Sequence, residues 1–232
     1  MKIAVMQPYL FPYIGYFQLI DAVDRFVVFD DVNYINKGWI NRNRILLNHK
    51  DYLFTISLKG ASQNKLIRDT EIDETEKWRV KLIKTFEGAY SKAPQYRQII
   101  PLLKDIINNK EPNLSAYILY SINGIADYLD IKTEIIPSSS IYGNQELKGE
   151  DRIIDICLKE NAGEYVNPIG GTELYSKPKF DEKGLQLFFL KTHAIEYPQF
   201  GKEFVPWLSI IDLLMFCSPD EVKEFLKKRE LI

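Results

Sequence analysis

Residues 2–31 decide the fold. Lys2-Ile3-Ala4-Val5-Met6 is a short apolar run that leads into Gln7-Pro8-Tyr9-Leu10-Phe11-Pro12-Tyr13-Ile14-Gly15-Tyr16. An amphipathic segment follows, and a second apolar run, Phe26-Val27-Val28-Phe29, ends in Asp30-Asp31. A strand, a Pro/Gly/Tyr loop, a helix and a strand within this span predict a βαβ unit. Open α/β sheets bind ligands beyond the carboxyl ends of their strands. Gln7 and Asp30-Asp31 stand at two such ends.

Strand and helix signals alternate along the rest of the chain. Ile45-Leu46-Leu47 and Tyr52 to Leu58 read as strands around a polar turn that carries His49, the first as an edge extension and the second as a core strand. Lys59 to Ile72 reads as surface loop. Residues 74–86, 96–108 and 114–129 show helical apolar spacing, with Asn113 or Ser115 as the cap of the third. Residues 132–136 resume as a strand and stop at Pro137-Ser138-Ser139-Ser140. A helix at 152–161, closed by Gly163, precedes a brief strand at Tyr165-Val166. Phe180 to Lys183 predicts a helical turn, Leu185 to Leu190 a strand, 198–206 an aromatic-rich loop, and 208–216 and 219–228 closing helices. The pattern predicts an α/β fold with a mostly parallel sheet and helices on both faces. One domain over 1–232 is expected, with 74–129 as a helical elaboration within it.

Composition bounds the function. The 232 residues carry a formal charge of −2, so no global field draws the chain to nucleic acid or an anionic membrane. Cys157 and Cys217 lie on apolar helical patterns and read as buried thiols, which suits a reducing compartment. No apolar run reaches membrane-spanning length, and the first residues run straight into a strand. A cytoplasmic location is the expectation. The chain has 14 Tyr and 13 Phe. Such rings pack cores, and they also build cleft walls that stack on sugars or bases.

Several groups are candidates for chemistry. The loop–helix junction is similar in layout to nucleotidyltransferases and class I synthetases, in which a strand and loop lead into a His-x-Gly-His helix start. Here the corresponding residues are Tyr13-Ile14-Gly15-Tyr16, and a phenol brings no positive charge to a phosphate. The likeness implies a Rossmann-like, nucleotidyltransferase-like βαβ unit whose pocket outlives the phosphate chemistry. Asp30 and Asp31 can bind a sugar hydroxyl, a ribose, an amine or a metal, or act as turn residues or a helix cap. Lys37, Arg42 and Arg44, in a loop with Asn41, can hold a phosphate or carboxylate, or be solvated surface charge. Gly170-Gly171 can let a ligand approach the backbone, or simply make a turn. His193 can serve as a general base, or as a structural imidazole. No His/Cys pair stands at metal-ligand spacing, and no metal is predicted.

Met6 to Phe17, then Phe29-Asp30-Asp31-Val32 and Asn41-Arg42-Asn43-Arg44, resemble the amino-terminal signature of the WbqC-like family. The resemblance continues through Arg152 to Cys157, Gly170-Gly171-Thr172-Glu173-Leu174-Tyr175, Tyr197-Pro198-Gln199-Phe200, and Phe204 to Leu214. Related sequences often read Ser-Gly where this chain has Asn167-Pro168, so no serine role is implied there. The resemblance implies a place among bacterial surface-polysaccharide (O-antigen) proteins, and glycyl or other aminoacyl transfer to a sugar for some members. It implies no catalytic residue.

The leading expectation is a transferase that puts an acyl or aminoacyl group on a nucleotide-linked sugar. Gln7, Tyr9, Tyr13, Gly15 and Tyr16 would line the pocket. Asp30, Asp31 and His193 would handle the acceptor proton, and Lys37, Asn41, Arg42 and Arg44 would hold the anionic part. Gly170 and Gly171 would let the backbone approach, Tyr175 and Tyr197 would close the far wall, and Gln199 would join in binding the substrate. ATP and magnesium are needed only if the donor is activated in situ. The alternatives are an adenylate-forming, nucleotidyltransferase-like enzyme and a sugar-binding protein without chemistry.

Overall fold

The computed structural model describes residues 1–201 and 203–232. In chain order the elements are β1 (Lys2–Met6), α1 (Ile14–Asp21), β2 (Arg25–Val28), β3 (Arg42–Leu47), β4 (Lys50–Thr55), β5 (Leu58–Lys59), β6 (Glu71–Ile72), α2 (Glu76–Tyr90), α3 (Tyr96–Asn108) and α4 (Leu114–Tyr128). They continue with β7 (Glu134–Ile136), α5 (Gly149–Lys159), β8 (Glu164–Pro168), α6 (Lys177–Asp181), β9 (Gln186–Thr192), α7 (Ile210–Phe216), α8 (Pro219–Lys227) and β10 (Arg229–Leu231). The main sheet has the order β10-β9-β8-β1-β2-β7. Every pairing in it is parallel except that of β10 with β9. The fold is therefore α/β with a mostly parallel central sheet, as residues 2–31 predict.

Alternate residues of each strand feed opposite faces. Ala4, Phe26, Val28 and Val166 join one apolar cluster with α1, α7 and α8. Ile3, Val5, Val27 and Tyr165 join the other, with α5 and α6. Strands buried on both faces need continuous apolar runs rather than alternation, which is why Ile3-Ala4-Val5 and Phe26-Val27-Val28 read as they do. Phe17 of α1 is fully buried, a burial that contributes roughly 1.5–3 kcal/mol. The helices α2–α4 extend the first cluster. Among the described residues no helix is long and apolar enough to cross a membrane.

Four expectations are corrected. Residues 45–47 and 52–58 do not extend the main sheet: β3 and β4 form a separate two-stranded hairpin. Its turn, Asn48-His49, has φ of 51° and 62°, the left-handed pair that tight hairpins use. The stretch 59–72 is not plain loop, because Leu58-Lys59 pairs antiparallel with Glu71-Ile72. The helical turn expected at 180–183 lies earlier, at Lys177–Asp181. After α5 the left-handed residue is Asn161 (φ 53°) rather than Gly163. The final strand β10 carries too few residues for a period to register. Asn113, not Ser115, caps α4, with its side chain accepting from Ala116 N. The aromatic loop expected at 198–206 includes position 202, which lies outside the described residues. Cys157 and Cys217 are free and buried, and burial pushes both thiols up to about 12.

One buried carboxylate ties α7 to its surroundings. Asp212 is fully buried and accepts hydrogen bonds from Tyr90 Oη (2.7 Å), Tyr197 Oη (2.8 Å) and Gln199 Nε2 (2.7 Å). Tyr90 Oη in turn accepts from Leu46 N at 3.1 Å. The network joins α2, β3, α7 and the chain after β9. Burial raises the Asp212 carboxyl, and the three side-chain hydrogen bonds pull it partly back. A raised folded value means that protonation favours the fold. That gain is complete below the unfolded value and is lost as pH rises through the folded one. Asp212→Ala leaves three donors without an acceptor and is expected to cost about 3 kcal/mol or more, while Asp212→Asn costs less. Urea denaturation at neutral pH checks this, and equal losses for the two variants would contradict it.

Candidate functional site

The strand order fixes where a ligand can lie. From β1 the chain proceeds to β2 and β7 on one side, then returns to β8 and β9 on the other. The order reverses between β1 and β8, and at such a point the loops leaving the two strands separate and open a crevice. The loop after β1 is therefore at the centre.

That loop is held from outside itself. Leu10 N donates to the carbonyls of Trp39 and Ile40 (3.2 Å each). The Asn43 side chain donates to Leu10 O (3.1 Å) and Phe11 O (2.8 Å). Ser209 Oγ donates to Phe11 O at 2.7 Å, and Ile210 N to Pro12 O at 2.9 Å. Asn43 and Ser209 are both buried. Buried carbonyls require donors, and Asn43 and Ser209 supply them where the loop's own geometry does not. Tyr16 faces inward and donates its hydroxyl to Gln7 O at 3.0 Å.

Two adjoining chambers, each of about 300 Å³, open beside this loop. The first lies between α1, the end of β9 and the start of α7. Thr192, His193, Glu196 and Tyr197 border it, over a base that includes Ile14 and Leu213. The second is lined by Tyr9, Pro12, Trp39, Asn43 and Arg44. Tyr13 and Trp207 belong to both, with ring centroids 5.9 Å apart. Trp207 is 64% exposed, with φ at 60°. Tyr13 lies across Gly15: a Cβ there would come within 2.2 Å of the Tyr13 hydroxyl. The glycine is thus needed by the chain's own phenol.

The basic residues divide. Arg42 Nε donates to Gly38 O at 2.9 Å and its Nη2 to Lys37 O, so this guanidinium closes its own loop. Lys37 is exposed. Asn41 is buried, accepting from Tyr34 Oη (2.8 Å) and donating to Ile56 O (3.0 Å). Arg44 alone of the group lines a chamber. Its guanidinium carbon sits 5.3 Å from the Trp39 ring centre, its Nη1 lies 3.2 Å from Asp51, and its Nε has no partner among the described residues.

Asp30 and Asp31 are only 3% and 4% exposed and line neither chamber. Asp30 accepts from Ser115 Oγ (2.8 Å) and Ser138 Oγ (2.6 Å). Burial raises its carboxyl against those two hydrogen bonds, with the Asp31 charge adding to the rise. Asp31 accepts from Ser139 Oγ, from Gln145 Nε2 (3.0 Å) and from Arg152 Nη2 (2.5 Å). Burial alone would raise Asp31, but the Ser139 and Arg152 contacts outweigh it and hold the group below its ordinary value. Arg152 is also buried, and its guanidinium covers the Phe29 ring at 4.8 Å. The pair thus locks the end of β2 to the loop after β7 and to α5.

The remaining candidates are placed as follows. His193 is exposed at the rim of the first chamber, and its Nε2 lies 3.9 Å from Glu230 Oε1. Tyr197 borders that chamber while donating to Asp212, and Gln199 braces the same carboxylate and Val205. Gly171 packs against Asn167, whose amide nitrogen a Cβ would meet at 1.8 Å, while Gly170 is open. Tyr175 packs on Tyr165 and Phe180. The fold thus brings Tyr9, Tyr13, Arg44, His193 and Tyr197 to one cleft. Gly170, Gly171, Tyr175, Lys37, Asn41 and Arg42 line neither chamber. Trp207, Asn43, Glu196 and Ser209 complete the cleft without having been candidates for the site; Trp207, directly after the aromatic-rich stretch 198–206, and Asn43 and Ser209 within the family-like blocks carried the available signal. Among the described residues no three His, Cys, Asp or Glu side chains gather as metal ligands.

Removing one partner of a buried ion pair strands the other. Asp31→Ala is expected to destabilise the chain by about 3–5 kcal/mol. Because Asp31 is depressed in the fold, its contribution is complete above the unfolded value and is lost as pH falls through the folded one. Wild type and variant should therefore converge in stability on acidification. Denaturation curves at neutral and acidic pH check this, and a constant gap would count against it.

The family model described as the WbqC-like protein family matches residues 7–224. A protein of Mycobacterium tuberculosis, Uncharacterized protein Rv1507c, is 32% identical over 230 residues, covering 97% of each chain. No solved structure gives a significant match. The matched span includes the β1 loop, both aspartates, Arg44, His193 and Trp207, and on this ground the chain belongs to the WbqC-like protein family.

Proposed function

We propose that the cleft transfers an acyl or aminoacyl group to an amino or hydroxyl group of a nucleotide-linked sugar, in surface-polysaccharide biosynthesis. The observation that carries this reading is the meeting of two chambers of different chemistry at Tyr13 and Trp207. The second has Arg44 among aromatic rings, a setting suited to a sugar with a phosphate or carboxylate. The first has His193 at its rim. With the sugar against Arg44 and the acyl group in the first chamber, the acceptor lies at the shared wall. Its nitrogen or oxygen bonds to the acyl carbon, and the bond from that carbon to its carrier breaks. The acceptor's proton passes to His193 and then to the departing carrier, a thiol if the donor is a thioester. In this reading His193 is the proton acceptor, and Asp30 and Asp31 hold the neighbouring strand ends in place. ATP and magnesium enter only if the donor is activated in situ.

The adenylate-forming alternative needs charge stabilisation at the start of α1. Tyr13 and Tyr16 bring none, and Tyr13 covers the glycine that a nucleotide would approach. The non-enzymatic alternative predicts binding without turnover. Incubation with a nucleotide-sugar panel and with acyl and aminoacyl donors, read by mass spectrometry, separates the readings: a mass gain equal to one acyl residue supports transfer. His193→Ala should then lower kcat about 10²–10⁴-fold. Arg44→Ala should raise KM for the sugar roughly 10–100-fold through loss of a charge-assisted contact. Wild-type turnover by the His193 variant would overturn the assignment.

A further inference from the structure

We infer that the first chamber takes a short apolar acyl chain rather than a charged aminoacyl group, an inference that rests on the transferase reading and narrows its donor. Core residues form its base: Ile14, Leu208, Ile210 and Leu213 are at most 9% exposed yet line the cavity. They belong to the apolar cluster that covers one face of the sheet. Ile195, Phe204 and Pro206 add apolar walls.

The polar side chains of its lining, Tyr13, Thr192, His193, Glu196, Tyr197 and Ser209, surround this apolar base. His193 and Glu196, the charged or chargeable members other than the phenols, are both exposed and sit at the rim. The Tyr197 hydroxyl is engaged with Asp212, and Ser209 Oγ with Phe11 O. Among the described residues, the buried side-chain polar atoms without partners belong to Gln18, Arg44, Tyr117, Ser121 and Tyr128, and none of these residues lines this chamber. An ammonium group carried to the base would leave the lining carboxylate, Glu196, behind at the rim, and an unpaired buried charge is strongly disfavoured. A hydrocarbon chain loses nothing there and gains by leaving water. The Arg44 chamber next to it differs in charge, with a guanidinium and no lining carboxylate among its aromatic rings. The two chambers therefore sort a donor and an acceptor by charge: the guanidinium borders only the second.

The test is isothermal titration of the full chain with octanoate and, separately, with glycine. Octanoate should bind at one site, and glycine should not. Ala194 is exposed at the rim, so Ala194→Trp fills the chamber without disturbing the core. This variant should keep its circular dichroism spectrum and bind octanoate at least tenfold more weakly. Arg44→Ala should bind octanoate as the wild type does. No octanoate binding, or unchanged binding by Ala194→Trp, would overturn the inference. Turnover with glycyl donors alone would also overturn it while sustaining the transferase reading. Octanoate binding with no mass gain on any nucleotide sugar would overturn the transferase reading and leave the chamber's ligand class supported.

Discussion

The cleft depends on the carbonyls of Leu10, Phe11 and Pro12. They lie beyond the end of β1, where no ladder continues, and Leu10 and Phe11 are fully buried. A buried carbonyl without a donor is costly, and the chain meets this with donors from distant segments. Asn43 arrives on β3, Ser209 and Ile210 at the start of α7. The same segments bring Arg44 and Trp207. Satisfying three carbonyls and assembling the two chambers are thus one structural event.

The parts of the fold legible in the sequence were those with local causes. The period of the apolar runs and the breaks at Pro and Gly identify β1, α1 and β2. The alternation of strand and helix predicts the parallel sheet. The hairpin of β3 and β4 was misplaced because a strand's own residues do not say which sheet it joins. That is decided by pairing beyond the strand itself, and among the described residues Arg42–Leu47 pairs as a strand only with Lys50–Thr55.

The site was legible only in part, for the same reason. Asp30 and Asp31 stand at a strand end, and in sequence they look open to a ligand. Their partners Ser115 and Arg152 are 85 and 121 residues away and fill the space. Arg42 and Arg44 are two residues apart and indistinguishable by type, yet the loop's own carbonyls claim one and the chamber the other. Asp212 sits in an apolar helical run, and nothing local announces that Tyr90, Tyr197 and Gln199 converge on it. That residues 13 and 16 are phenols was legible, and its consequence is physical: Tyr13 fills the approach to Gly15.

Trp207 carries a consequence of its own. A left-handed backbone costs a residue with a Cβ about 1–2 kcal/mol, and glycine escapes that cost. An indole that is mostly in water recovers little of it by burial. Position 207 is therefore a place where the chain holds strain in exchange for a flat aromatic wall between the chambers. Local stability there is below what the same loop would have with glycine, and the partition's shape is maintained against the backbone's own preference.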